Sequence, residues 1–138
     1  MAITFQNNNV DFKLNQSGKI KSWVKKIIEL EKKQSGQINV VFTNDEELLK
    51  MNIQYLNHDT YTDIITFDYT EEKKISGDII ISIERVGENA LKLKTDFDEE
   101  LKRVMIHGVL HLCGYKDKTK ADSELMRKKE NWALKKFV

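Results

Sequence analysis

Met105-Ile106-His107-Gly108-Val109-Leu110-His111-Leu112-Cys113-Gly114-Tyr115-Lys116-Asp117 is the stretch whose reading decides this chain. Two of the three histidines lie here, four residues apart, in a run that otherwise reads as an apolar helix. On a helix, residues i and i+4 stand one turn apart on the same face, so both imidazoles can be aimed at one point. Gly114 supplies a helix stop, because glycine enters the left-handed region without steric penalty. Asp117 follows the turn, placed to swing back toward the same point. Two imidazoles and a carboxylate converging in this way are the donor set of an open zinc site, with the fourth position left for water. His107, His111 and Asp117 are therefore the expected ligands of one Zn²⁺ per chain. A lone histidine on an apolar helix face is more often a hydrogen-bonded core residue, so the fixed offsets carry this reading.

Working outward, Asp96-Phe97-Asp98-Glu99 resembles a capping box and opens the helix that carries both histidines. Beyond the motif, Asp122 to Phe137 predicts a last helix with Leu125, Met126, Ala133 and Phe137 inward. Upstream, Thr62 to Phe67 is a β-branched run, Glu71 to Lys74 a polar turn, and Ile75 to Ile83 a second strand with Ile79, Ile81 and Ile83 on one face. These two runs predict a hairpin, and Val86 to Lys94 a short helix. Ile3 and Phe5 mark a short strand over 2–7. Ile20, Trp23, Val24, Ile27 and Ile28 follow helical spacing after Gly18, up to a stop at Ser35-Gly36. Gln37 to Thr43 predicts a strand. Asn44 then caps a helix that buries Leu48, Leu49, Asn52, Tyr55 and Leu56 and ends at Asn57. The expected fold is α+β: one domain over 1–138, with a mixed sheet of about four strands packed against helices.

Bulk composition narrows the function classes. The 138 residues suit one domain, and 33% are charged, as expected of a small protein with much surface. No apolar run approaches the roughly 20 residues that span a bilayer, and the N-terminus lacks the basic start and apolar core of a signal peptide. Cys113 is the single cysteine, so no disulfide framework exists, and a cytoplasmic location without membrane attachment is expected. Net charge is only +1, but it is unevenly spread. Residues 19–33 carry six Lys against two Glu, residues 116–138 eight Lys/Arg against four Asp/Glu, and residues 44–100 fifteen acids against six bases. The two basic segments are either solvated helix faces or, if they share a surface, a phosphate-attracting patch.

From His107 the pattern reads H-x-x-x-H-x-x-G-x-x-D, which resembles the metzincin protease spacing except that Gly108 stands where those enzymes carry glutamate. That glutamate is the general base of proteolysis, so its absence argues against a peptidase. Gly108 either opens an approach to the metal or allows close packing of helix on sheet.

The segment His107-Gly108-x-Leu110-His111-Leu112-x-Gly114-Tyr115 also resembles the signature of the YbeY family of bacterial metal-dependent endoribonucleases. The likeness runs back through Leu56-Asn57, Thr62 to Phe67 and Gly77-Asp78-Ile79, and forward to Met126. It implies an α+β fold, metal binding by His107, His111 and Asp117, one zinc, and cytoplasmic action in ribosomal RNA maturation and ribosome quality control. Most members carry Asp-His where this chain has Lys116-Asp117. Asp117 keeps the ligand offset but adds negative charge, which weakens the metal's Lewis acidity. Members usually also carry an arginine in a longer loop before the Thr-Asp strand. Here the loop is His58-Asp59-Thr60-Tyr61, so no catalytic arginine is assigned, and His58 or a lysine is the candidate substitute.

The expectation is thus a zinc-dependent endoribonuclease acting on single-stranded ribosomal RNA, in 16S 3'-end maturation, with the small ribosomal subunit as a possible partner. Its rivals are a non-catalytic RNA- or ribosome-binding module with a structural zinc, and another metal-dependent hydrolase such as a peptidase. Asp63 and Asp78 are either groups that act at the site or ordinary polar strand residues. Cys113 falls on another helix face. Met126, Trp23 and Trp132 read as packing residues.

Overall fold

Ile38, Val40 and Phe42 alternate along one strand and Ile75, Ile79 and Ile81 along another, and all six are sealed from solvent. A two-residue period of this kind puts one apolar face on the core, and two helices cover it. A computed structural model describes residues 2–56 and 62–137. In order it contains β1 (Ala2–Asn7), α1 (Ser17–Leu30), β2 (Gln34–Thr43), α2 (Asp45–Leu56), β3 (Ile64–Asp68), β4 (Lys74–Ser82), α3 (Ile83–Leu93), α4 (Phe97–Leu112) and α5 (Lys120–Lys135).

The four strands form one mixed sheet in the order β1-β2-β4-β3. β1 pairs parallel with β2, and β2 parallel with β4. The expected hairpin is present: β3 lies antiparallel to β4, with Ile64 opposite Ile81 and Asp68 opposite Gly77. Helices α1 and α4 bury Trp23, Ile27, Met105 and Val109 against one sheet face. On the other face α2 closes a smaller cluster of Leu48, Ile65 and Ile80. Among the described residues, no helix is long and apolar enough to cross a membrane.

Several boundaries differ from the sequence reading, each for a local reason. Ser35-Gly36 does not end α1. The helix stops at Leu30, Lys32 takes the left-handed turn (φ 60°), and both Ser35 and Gly36 lie inside β2. Gly36 is a close-approach glycine, because a Cβ there would sit 2.9 Å from the Ile75 carbonyl oxygen. α3 starts at Ile83, earlier than Val86, because Ser82 ends β4 and caps the helix by accepting from Arg85 N. α5 starts at Lys120 with a full capping box between Thr119 and Asp122. Asp96 stands at the start of α4 but makes no side-chain capping bond, so the capping box expected there does not form. Tyr55 and Leu125, expected inward, are 61% and 49% exposed. Asn57 and His58 lie outside the described residues.

Gly108 is buried and faces the sheet. A Cβ built there would lie 2.9 Å from Ile64 Cδ1 and 3.0 Å from Ile79 Cγ2. Its role is therefore close packing of α4 on β3 and β4, and it does not open a path to the metal.

Candidate metal centre

α4 presents His107 and His111 side by side, ring centroids 4.6 Å apart and planes at 81°. Val109 accepts from the amide of Cys113, and Gly114 takes φ +111° to reverse the chain. Tyr115 N then bonds the Leu110 carbonyl, closing the helix end. The turn returns Asp117 to the histidines: its Oδ2 lies 3.4 Å from His107 Nε2 and 3.3 Å from His111 Nε2. Donor atoms bonded at about 2.1 Å to a tetrahedral ion stand about 3.4 Å apart. The two separations to Asp117 match that spacing, all three donor atoms lie within 4.8 Å of one another, and two imidazoles with a carboxylate are chemically suited to a zinc-type ion. Among the described residues these three form the one group of His, Cys, Asp and Glu able to hold a metal.

The ring nitrogens facing away from that point are both engaged. His107 Nδ1 meets Glu130 Oε2 at 2.7 Å, and His111 Nδ1 donates to the Tyr115 carbonyl at 2.9 Å. Such partners fix the imidazole's orientation and tautomer, leaving Nε2 to face a metal. Glu130 is itself buried, with its other oxygen 3.1 Å from Arg103 Nη1 and 3.8 Å from Arg127 Nε.

Burial alone would lower the pKa of His107. The Glu130 hydrogen bond and the charges of Glu130, Asp117 and Asp63 together outweigh it, and the net shift is upward. Glu130 mirrors this. Its burial favours the acid form, but the bond to His107 and the nearby arginines bring its value below the ordinary one.

The site opens on a cleft of about 650 Å³ between α4 and the edge strand β3, walled by Asp63, Ile64, Thr66, His107, His111 and Lys118 among others. A second recess of about 200 Å³ continues past Asp63 and His107 to Arg103, Arg127 and Glu130. Asp63 lines both, and burial raises its pKa, partly offset by His107.

Asp78 is elsewhere, accepting from Asn39 and Tyr69 as a polar strand residue. Cys113 is a free thiol whose pKa burial pushes up to about 12, and it is not part of the group that could hold a metal. Met126 is core, and Trp23 is a buried packing residue whose Nε1 donates to Ala133 O.

Glu130 is the functional side chain that sequence reasoning missed. Its signal was legible: with Met126 and Ala133 it occupies the inward stripe of α5 at offsets of four and three. A carboxylate on such a stripe requires a buried partner.

Comparison with known proteins agrees with this architecture. The profile of the family described as Endoribonuclease YbeY matches residues 2–138. The Endoribonuclease YbeY of Flavobacterium psychrophilum is 56% identical over 131 residues, covering 95% of this chain and 94% of that protein. The protein of the same name from Parabacteroides distasonis is 46% identical over 134 residues, covering 97% and 94%. A solution structure of a Thermotoga maritima protein superposes with a TM-score of 0.70 at 27% identity, covering 99% of this chain and 89% of that one. The fold defines an α+β protein, a four-stranded mixed sheet packed with five helices, whose fourth helix and following turn gather a group that could hold a metal. The chain belongs to the YbeY endoribonuclease family.

Proposed function

We propose that the protein is a zinc-dependent endoribonuclease whose single domain, residues 1–138, cuts single-stranded ribosomal RNA during 16S 3'-end maturation and ribosome quality control in the cytoplasm. The observation that carries this reading is the convergence of His107 Nε2, His111 Nε2 and Asp117 Oδ2 at the floor of an open cleft. The family's nuclease designation supplies RNA as the substrate class. When bound, zinc acidifies water and polarises a phosphoryl oxygen.

The remaining work falls to the chain's own residues. His107 and His111 are held with Nε2 toward the cleft by Glu130 and the Tyr115 carbonyl. Lys118 at the rim and Arg127 beside the recess offer positive charge to phosphates. Asp63 is the wall carboxylate next to His107. The basic helices α1 and α5 meet where Trp23 Nε1 donates to the Ala133 carbonyl at 2.7 Å, so their lysines can serve a common RNA strand and the small ribosomal subunit. This keeps a lysine-based source of positive charge in place of the loop arginine usual in the family.

Three protein ligands favour a catalytic over a closed structural metal, which usually has four. The buried, sheet-facing Gly108 speaks against a peptidase, since no carboxylate can occupy that position. Incubating metal-loaded protein with single-stranded RNA and with a casein-type substrate separates the readings. Cleavage of RNA alone, lost in His111→Ala, is expected. RNA cleavage that persists in His111→Ala overturns the metal-dependent mechanism, and bound metal without cleavage of either substrate makes the protein a binding module.

A further inference from the structure

We propose that Glu31 is a positioning residue for the histidines: its carboxylate clamps Tyr115 and Lys129 and so fixes both acceptors that orient His111 and His107. The inference rests on the metal-centre reading above and extends it to a third element of the fold.

Glu31 is the C-cap residue of α1. Its side chain is only 12% exposed, and each oxygen has its own donor. Tyr115 Oη donates to Oε1 at 2.7 Å, and Lys129 Nζ meets Oε2 at 2.7 Å. The ammonium of Lys129 also sits 3.7 Å above the Trp132 ring and 5.5 Å from that of Tyr115, which restricts it further. An exposed pair of this kind is worth little, but charge-assisted bonds in a mostly buried, two-donor arrangement are stronger and directional.

The two arms of the clamp end on the two orienting groups. Tyr115 carries both the hydroxyl held by Glu31 and the carbonyl that accepts from His111 Nδ1 at 2.9 Å. Holding the hydroxyl holds the residue, and with it the carbonyl. Lys129 immediately precedes Glu130, which meets His107 Nδ1 at 2.7 Å. Tying Lys129 to α1 opposes any slide of α5 that would withdraw Glu130. A single carboxylate outside the motif thus couples the turn after α4 to α5, and favours the tautomer that presents Nε2 of each histidine.

The test uses Tyr115→Phe, Glu31→Leu and Glu31→Gln in the full chain. Zinc affinity is read by competition with a chromophoric chelator, and the His111 tautomer by nitrogen NMR of the metal-free protein at a pH where the imidazoles are neutral. Tyr115→Phe and Glu31→Leu are each expected to lower zinc affinity about tenfold, the scale of a lost orienting contact. The double variant should fall no further than Glu31→Leu alone, because losing the carboxylate already removes the Tyr115 linkage. Glu31→Gln keeps an acceptor for the hydroxyl and should stay within about threefold. In metal-free Tyr115→Phe, His111 should become a tautomer mixture.

Wild-type affinity and an unchanged tautomer in both Tyr115→Phe and Glu31→Leu, even with a lowered melting temperature, would reduce the clamp to a structural brace. If Glu31→Leu does not fold, Tyr115→Phe decides, since it removes only one oxygen. If the wild type binds no zinc, the metal-centre reading fails, while the tautomer measurement still judges the clamp.

Discussion

His107 and His111 are one helical turn apart, yet their surroundings are opposites. His107 lies against charge: Glu130 at 2.7 Å, with Arg103 and Arg127 behind it and Asp63 across the recess. His111 lies against backbone, donating to a carbonyl in a turn that Gly114 makes possible. The first partner is an ionisable carboxylate and the second a neutral peptide carbonyl. Two identical candidate ligands thus differ in what a mutation behind them removes: a charge for His107, a turn carbonyl for His111.

The harshest way to break the comparison is to remove a ligand. His107→Ala should abolish stoichiometric metal and RNA cleavage together, read by metal analysis of purified protein. Asp117→Ala should weaken zinc binding by more than about 100-fold, beyond the range of outer contacts. Unchanged affinity there would mean the third ligand is elsewhere. Asp117→His, which restores the residue usual in the family, should bind metal. On the His107 side, Glu130→Gln removes the charge but keeps an acceptor and should cost about 10-fold in affinity, measured by chelator competition. It should also leave Arg103 less well neutralised. Gly108→Ala tests the packing beneath both halves. The added methyl must displace Ile64 and Ile79, so a loss of about 1–3 kcal/mol in denaturant unfolding is expected, ahead of any change in ligand geometry.

The subtlest effect is the pH dependence of the metal-free protein. The His107 pKa is raised above its ordinary 6.5, so the stability it adds is full below that value and is lost as pH rises through the raised one. The Glu130 pKa is lowered below its ordinary 4.5, so its contribution is full above 4.5 and is lost as pH falls through the lowered one. Melting temperature of metal-free protein should therefore be highest between these limits, and Glu130→Gln should flatten the profile. Zinc must displace the His107 proton, so apparent affinity falls as pH drops through the raised value, and this fall should move to lower pH in Glu130→Gln.

The gathering of His107, His111 and Asp117 was legible because helical spacing and a glycine turn are local rules, and the turn does bring Asp117 Oδ2 within 3.4 Å of both Nε2 atoms. The same holds for the alternation of Ile79 and Ile81 and the β3–β4 hairpin. What stayed hidden depends on contacts between distant segments. Gly36 looked like a turn because nothing local announces that β2 must approach the start of β4 there. Ser82 looked like a strand residue because its role as helix cap emerges only where β4 ends. Glu130 lay inside a basic segment read for its outer face, and its partner is 23 positions away on another helix. The sheet order, with β4 inserted between β2 and β3, follows from parallel pairing that no single segment encodes.

All three candidate ligands and both groups that orient the histidines fall within residues 107–130, a helix, a turn and a helix. The sheet instead joins β2 to β4 across a gap filled by α2 and β3. Closing short loops is fast, whereas pairing distant parallel strands is slow. In refolding, the helix pair should therefore gather its metal ligands before the sheet is complete. Added zinc would then speed the early phase and protect the amides of α4 and α5 from hydrogen exchange first, leaving the pairing of β2 with β4 to set the final rate.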